Sequence, residues 1–308
     1  MIQRQEQLRD HLIGSILEGR EIVAVPVLDT GTLAFAVPID SSEVEAAWRA
    51  ARALLSKTGL WPIASTFWSA GGLPFSTQVL EEDFFNRFYY AEVPGCEEVS
   101  PESICMRVKD VDVSRFLDDK EFHAEEEYGL DEFIESELDE VENRCGERPD
   151  TTLLERSLVA GERIRTSYQL ERWLYDYEHA RGFRSEPEES RQEWFTNDPS
   201  VLLFLPTRSG WEALAYLHWY GASGVGSEYY IALGKTWEER FGAELVSHYG
   251  TMLQCIVNRP PRNADEAFPL AREHNIVSPC TLALPGILLR DYADALVDWD
   301  RWFLHERP

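Results

Sequence analysis

The chain has 308 residues, 44% hydrophobic and 12% aromatic with 10 Trp, which is too apolar for a disordered protein and ample for a sizeable core. Lys+Arg number 29 against 55 Asp+Glu, a net charge of −26. That sign argues against binding nucleic acid or an anionic membrane surface, both of which call for a basic footprint.

Leu8, Leu12, Ile13, Ile16 and Leu17 recur at helical spacing, so residues 2–18 are read as an amphipathic helix. The opening has no basic stretch leading into an apolar core. No run of about eighteen apolar residues occurs either, so the expected location is the cytosol, without secretory signal or membrane span. Two β-rich runs, 21–27 and 32–39, flank Asp29-Thr30-Gly31 and predict a short antiparallel pair. Ser41-Ser42-Glu43 offers a cap for a helix through Val44, Ala47, Trp48, Ala51, Leu54 and Leu55, stopped by Gly59. Residues 60–64 follow as a strand and 69–77 as a loop. Residues 79–92 are read as a helix with Phe84, Phe85, Phe88 and Tyr89 on one side, a core-facing stripe in preference to a ligand-stacking platform.

From Asp118 to Glu142 there are thirteen acidic residues and one basic, Lys120, a net of −12. Leu130, Phe133, Ile134, Leu138 and Val141 recur among them at 3–4 spacing, which makes this an amphipathic helix with a negative outer face. Gly146-Glu147-Arg148-Pro149 is a turn. A second long helical pattern covers 151–181, carrying Leu154, Leu158, Tyr168, Trp173, Leu174 and Tyr177. Residues 184–200, polar with two prolines, read as a linker. The first 200 residues hold 20 basic and 42 acidic residues, a net of −22, against nine and thirteen, a net of −4, in residues 201–308. These features predict an α+β fold with mixed sheets and packed helices in two abutting parts, an acidic part at 1–190 and a second at 200–308.

In the second part, the apolar run 201–207 is a buried strand. Ser209 caps a helix through Trp211, Leu214, Ala215, Leu217 and His218, ended by Gly221 and Gly224. A helix over 227–241 should bury Trp237 and Phe241 on one face. A hairpin over 243–257 turns at Tyr249-Gly250. Asn263 caps the next helix, another covers 286–297, and an aromatic end runs from Trp299 to Phe303.

This part resembles the bacterial family described as domain of unknown function 4253. The likeness is carried by SEYYIALGKTWEERFGAELV (227–246), with its Trp-x-x-x-[YF]-Gly-Ala-Glu run, and by NRPPRNADEAFPLAREHNIV (258–277), with its Pro-Pro ahead of an Ala-x-x-Leu-Ala-x-Glu helix. The run AWRAARALLSKTGLWPIA (47–64) is similar to the upstream part of such proteins. The family's Cys-Pro-Asp element is replaced by Ser278-Pro279-Cys280, and its terminal aromatic cluster is only partly matched by Trp299, Trp302 and Phe303. The resemblance implies a family and no activity.

The sequence offers no catalytic constellation. GASGVGSE (221–228) has spaced glycines but follows a helix and lacks the Lys-Ser/Thr of a phosphate loop, so it reads as a turn. No two of the seven histidines stand at i,i+3 or i,i+4, and His123 among Glu121, Glu125, Glu126 and Glu127 reads as a solvated acidic face, so neither metal nor cofactor is expected. The five scattered cysteines, without C-x-x-C spacing, read as reduced thiols in preference to a Cys96–Cys105 disulfide. There is no G-x-S-x-G elbow, and Cys280 with His274 or His218 reads as a structural thiol before a nucleophile pair. Glu273-His274 is the best single enzyme candidate.

Two functions follow. The first is a non-enzymatic, cytosolic immunity or inhibitor protein that neutralises a bacterial toxin. Its partner would be a protein with a basic surface, steered by an acidic face bearing Glu125, Glu126, Asp131, Glu132, Glu135 and Asp139. The second is an enzyme or small-ligand binder with an aromatic-lined pocket in the C-terminal part, drawn from Trp211, His218, Trp219, Tyr220, Tyr229, Tyr230, Trp237 and His274.

Overall fold

A computed structural model describes residues 2, 4–27, 30–66, 100–127, 130–159, 161–194, 196, 200–222 and 224–307. The fold is α+β, and the chain divides into two compact units that interleave along the sequence. Unit 1 takes Met1–Val113, Glu193–Arg259 and Asp300–Pro308; unit 2 takes Ser114–Gln192 and Pro260–Trp299. Where the sequence divides once, at 184–200, the structure crosses between units four times, one crossing (Gln192 to Glu193) falling inside that stretch.

The elements follow from local chemistry. Helix α1 (Gln5–Leu12) buries Leu8 and Leu12 and stops short of the predicted 2–18, because Gly14 takes φ 80° and Ile13 and Ile16 are left exposed. Strands β1 (Val23–Pro26) and β2 (Leu33–Ile39) form the expected antiparallel pair. The next helix comes in two pieces, α2 (Val44–Arg52) and α3 (Leu55–Thr58), and Gly59 ends it in the left-handed region before β3 (Trp61–Thr66). The predicted loop 69–77 and helix 79–92, with Phe84, Phe85, Phe88 and Tyr89, lie outside the described residues. In α4 (Pro101–Arg107), the Ser100 hydroxyl caps the Ser103 amide and Pro101 opens the first turn.

The acidic stretch is two helices, α5 (Val113–Glu127) and α6 (Leu130–Cys145). The single helix expected over 151–181 is replaced by α7 (Thr151–Arg156), a hairpin of β4 (Leu158–Val159) and β5 (Glu162–Arg163), and α8 (Ser167–Ala180). Gly161 at φ 86° supports the reversal, and caps from Asp150 and Thr166 start the helices on either side. The supposed linker contains α9 (Pro187–Ser190), whose Ser190 is buried.

Strand β6 (Ser200–Leu205) is buried along its whole length, as its apolar run predicts. The helix expected from Ser209 is instead a 3₁₀ turn over Trp211–Ala215, with a second over Tyr220–Ala222. Then come α10 (Ser227–Phe241), β7 (Ala243–His248), β8 (Met252–Val257), α11 (Ala264–Val277), α12 (Cys280–Ala283), α13 (Leu289–Leu296) and β9 (Arg301–His305).

Unit 1 is built on a seven-stranded sheet in the order β1-β2-β6-β3-β7-β8-β9. All neighbours are antiparallel except β3 and β7, and β7 carries an irregularity between Leu245 and Ser247. Helix α2 lays Ala47, Trp48 and Ala51 toward the sheet, where the Trp48 indole donates to the Pro62 carbonyl at 3.0 Å. Helix α10 buries Trp237 and Phe241 on one side, as the spacing of four predicts. Trp211 lies so close to this helix that a Cβ on Gly234 would sit 2.0 Å from its ring, so this position requires glycine.

In unit 2, Leu138 and Val141 of α6 meet Leu154, Leu170, Leu174 and Tyr177 in a buried cluster, with Leu130, Ile134 and Trp173 packed against it. Phe133, expected on the same stripe, is exposed.

Candidate functional site

Helix α8 shows how unit 2 departs from an ordinary apolar interior. Its buried face comprises Leu170, Glu171, Leu174, Tyr177 and Glu178, so two glutamates seven residues apart share the stripe with the leucines. Glu137 on α6 falls between Ile134 and Val141 of the helical repeat. These three carboxylates converge on one side chain, Arg290, near the start of α13, which is fully buried. A guanidinium without water requires compensating charge and hydrogen bonds, and the helices supply them. Arg290 Nη1 donates to Glu137 Oε2 and Glu171 Oε1, each at 2.6 Å, Nε donates to both oxygens of Glu178 at 3.2 Å, and the Arg290 amide donates to Glu171 Oε2 at 3.0 Å.

A second cation extends the network. Arg144 donates to both oxygens of Asp291 at 2.8 and 2.7 Å and to Glu140 at 2.8 Å, and lies 3.7 Å from Glu178. Five carboxylates (Glu137, Glu140, Glu171, Glu178, Asp291) therefore face two guanidiniums. Burial pushes Glu171 up to about 8 against the pull of Arg290, and the charge of Glu137 and its hydrogen bond to Glu171 add to the rise. Burial also raises Glu178, opposed by Arg290 and Arg144. These effects favour the protonated form of Glu171.

This charged floor opens on a cavity of about 540 Å³ within unit 2. Glu137 and Glu171 line it, as do Leu170, Ile276, Leu282, Leu288 and Leu289, with Tyr168 and Phe133 among the aromatic contacts. Glu121 and Arg272 form another part of the wall, already joined to each other: Arg272 Nε donates to Glu121 Oε1 at 2.7 Å and Nη2 to Oε2, with Asp118 3.7 Å away. The Arg272 guanidinium also stacks over Tyr168, 5.4 Å from the ring centroid. The arrangement can enclose an apolar body and present it with a pair of carboxyl groups.

The residues singled out in the sequence lie elsewhere. Trp211, His218, Trp219, Tyr220, Tyr229, Tyr230 and Trp237 belong to unit 1, and His274 to unit 2. Trp211, Trp219, Tyr230 and Trp237 are buried and pack ring edge to ring face, Trp211 on Trp237 at 5.6 Å and Trp219 on Tyr230 at 4.9 Å. The indoles of Trp211 and Trp219 donate to the carbonyls of Ala243 and Thr251. His218 is partly buried, and its carbonyl accepts from His248 Nε2 at 3.0 Å. His274 is buried on α11 with Nδ1 2.9 Å from the Tyr292 hydroxyl.

Of the acidic face, Glu125 and Glu126 fall in α5 and Asp131 and Glu132 in α6, with side chains outside the described residues. Glu135 and Asp139 are exposed, and both pair with Arg148. Among the described residues, no group of three or more His, Cys, Asp or Glu is placed to hold a metal ion, and no helix is long and apolar enough to cross a membrane.

Residues 201–305 match a family model described as Domain of unknown function (DUF4253). The matched span contains both runs that carry the likeness, 227–246 and 258–277, whereas 47–64 lies outside it. No curated protein and no solved structure matches the chain. The DUF4253 segment supplies β6–β9 of the sheet in unit 1 and α11–α13 of unit 2, including Arg272 and Arg290. Glu137 and Glu171 come from outside it. Sequence reading missed this site although a signal was present: Glu137, Glu171 and Glu178 each occupy a core position in a helical repeat whose other members are apolar.

Proposed function

We propose that unit 2 is a binding module for a small organic molecule whose apolar body fills the cavity beside Glu137 and Glu171. The cavity carries this reading: about 540 Å³, with apolar walls and a few convergent polar groups, is the make-up of a small-molecule site. The protein then works as a binding protein in the cytosol, where its thiols stay reduced. The test is to titrate the full chain with benzylammonium, benzyl alcohol and phenylacetate while following side-chain methyl signals by NMR. Binding of at least one probe should shift the methyls of Leu170, Ile276, Leu282 and Leu288, and Ile276→Trp, which fills the cavity, should abolish the shifts. No response to any probe at millimolar concentration overturns the reading.

An acidic partner surface is a second reading, favoured by the anchoring of α6. Leu138 and Val141 are buried while Glu135 and Asp139 face outward, so the negative face is held rigid. In this reading the partner is a basic protein, as the toxin of an immunity pair would be. Pull-down from the native bacterial cell identifies it. Glu135→Lys with Asp139→Lys should slow its association, most at low salt, and unchanged kinetics there would remove this reading.

A further inference from the structure

We infer that the ligand of the unit 2 cavity is an organic cation, an ammonium or amidinium on an apolar body, which docks against Glu137 and Glu171. This rests on the reading of the cavity as a small-molecule site.

Charge balance leads to it first. The charged groups around Glu171 are Glu137, Glu140 and Arg144 on α6, Glu178 on α8, Arg290 and Asp291 on α13, and Glu121 and Arg272 across the cavity. Arg272 and Glu121 neutralise each other. Among the rest, five carboxylates meet two guanidiniums, so the floor stays negative even with Glu171 protonated. Of these carboxylates Glu137 and Glu171 line the cavity, so the charge that a ligand meets there is negative, and a ligand cation is the species it attracts.

Exposure gives the second argument. The Arg290 side chain is 0% exposed, whereas Glu137 is 15% and Glu171 11% exposed, so an incoming group meets carboxylate oxygens before the guanidinium. Arg290 Nη2 has no hydrogen-bond partner among the described residues but is sealed from solvent, so it is not offered to an anion. The other cation on the wall, Arg272, has its fork closed on Glu121. An anionic ligand would have to break that pair, and a neutral one would forgo the attraction of the Glu137 carboxylate.

Burial favours the protonated form of Glu171, so a cation docked against it displaces that proton. R–NH3⁺ and protonated Glu171 give an ammonium–carboxylate pair and one H⁺ taken up by buffer. No bond of the ligand breaks. Below the Glu171 midpoint, apparent affinity should rise about tenfold per pH unit, because each ligand bound releases one proton.

The experiment is calorimetry of the full chain with benzylammonium, benzyl alcohol and phenylacetate, in two buffers of different ionisation enthalpy. Benzylammonium should bind at least about tenfold tighter than benzyl alcohol, and phenylacetate weaker than either. About one proton should be released per benzylammonium near pH 7, with affinity rising from about pH 6 and levelling above about 8. Glu171→Gln should remove the proton release and the pH dependence and reduce the ammonium's advantage, while benzyl alcohol still binds. Equal affinity for ammonium and alcohol, or no proton release, overturns the cation inference and leaves the cavity reading standing. If none of the three binds, the cavity reading itself falls. The two-buffer measurement on the unaltered chain decides the matter even if Glu171→Gln fails to fold.

Discussion

The two units fill their interiors with different chemistry. In unit 1 the largest buried side chains are indoles: Trp48, Trp61, Trp211 and Trp219 are buried, and each donates its N–H to a backbone carbonyl at 3.0–3.2 Å. Such a core gains from apolar area and leaves few polar atoms to satisfy. In unit 2 the centre is Arg290, held by glutamates from two helices. That centre gives up desolvation energy and gains charge-assisted hydrogen bonds, two of its carboxylates lining a cavity. Overall charge follows the same division. Unit 2 holds 29 Asp+Glu against 14 Lys+Arg, a net of −15, while the longer unit 1 holds 26 against 15, a net of −11. The lesson is that an aromatic interior and a charged one can be assembled from interleaved stretches of a single chain.

The contrast can be broken most severely in unit 1. Trp237 is buried and stands edge-on to Trp211 at 5.6 Å and to Trp302 at 6.1 Å. Trp237→Ala should cost about 3–5 kcal/mol in urea unfolding, and a loss below about 1 kcal/mol would show that the indole cluster does not hold the unit. In unit 2, Arg290→Met takes the cation from Glu137 and leaves Glu178 only Arg144, at 3.7 Å. The expected loss is about 3 kcal/mol, the lower end for a broken buried pair because Glu137 is partly exposed and Glu178 keeps Arg144, and adding Glu137→Gln should recover part of it. No recovery would mean that packing, not charge, is what Arg290 contributes.

Acid and base should sharpen the comparison by acting on the units in opposite senses. Burial holds His248 down at about 4, with Nε2 donating to the His218 carbonyl and Nδ1 accepting from the Gly250 amide at 3.4 Å. Its folded value lies below the ordinary 6.5, so its contribution to unit 1 is present above about 6.5 and is lost as pH falls toward 4. Glu171 is raised from 4.5 to about 8, so its contribution to unit 2 is complete below 4.5 and is lost as pH rises through 8. Hydrogen exchange corrected for intrinsic rates should show unit 1 loosening on the acid side and unit 2 on the alkaline side, each by at most about 1.4 kcal/mol per pH unit. Parallel behaviour of the two units would contradict these assignments. The smallest effect belongs to the surface: Arg148→Ala, which frees Glu135 and Asp139, should change stability by less than about 1 kcal/mol.

Much of the fold was legible because local signals were strong. The apolar run at 201–207, the cap at Asn263 and the Trp237–Phe241 spacing all correspond to observed elements. Length was harder to read. Leu154, Leu158 and Tyr168 fit one helical repeat, yet Gly161 turns the chain between them, and a single glycine outweighs a loose periodicity. The interleaving of units was not legible, since pairing of β2 and β3 with β6 joins segments more than 100 residues apart and leaves no local trace. The candidate site was missed for another reason. Aromatic density drew the reading to Trp211 and Trp237, which pack as core, while glutamates in apolar helical positions passed as part of a general acidic bias.

The most direct test is a carboxyl carbon NMR titration of Glu171, assigned by its loss in Glu171→Gln, with and without saturating benzylammonium. Glu171 should titrate near pH 8 in the free protein and well below that when the cation is bound. A midpoint near the ordinary 4.5 in the free protein, unmoved by benzylammonium, would contradict the account.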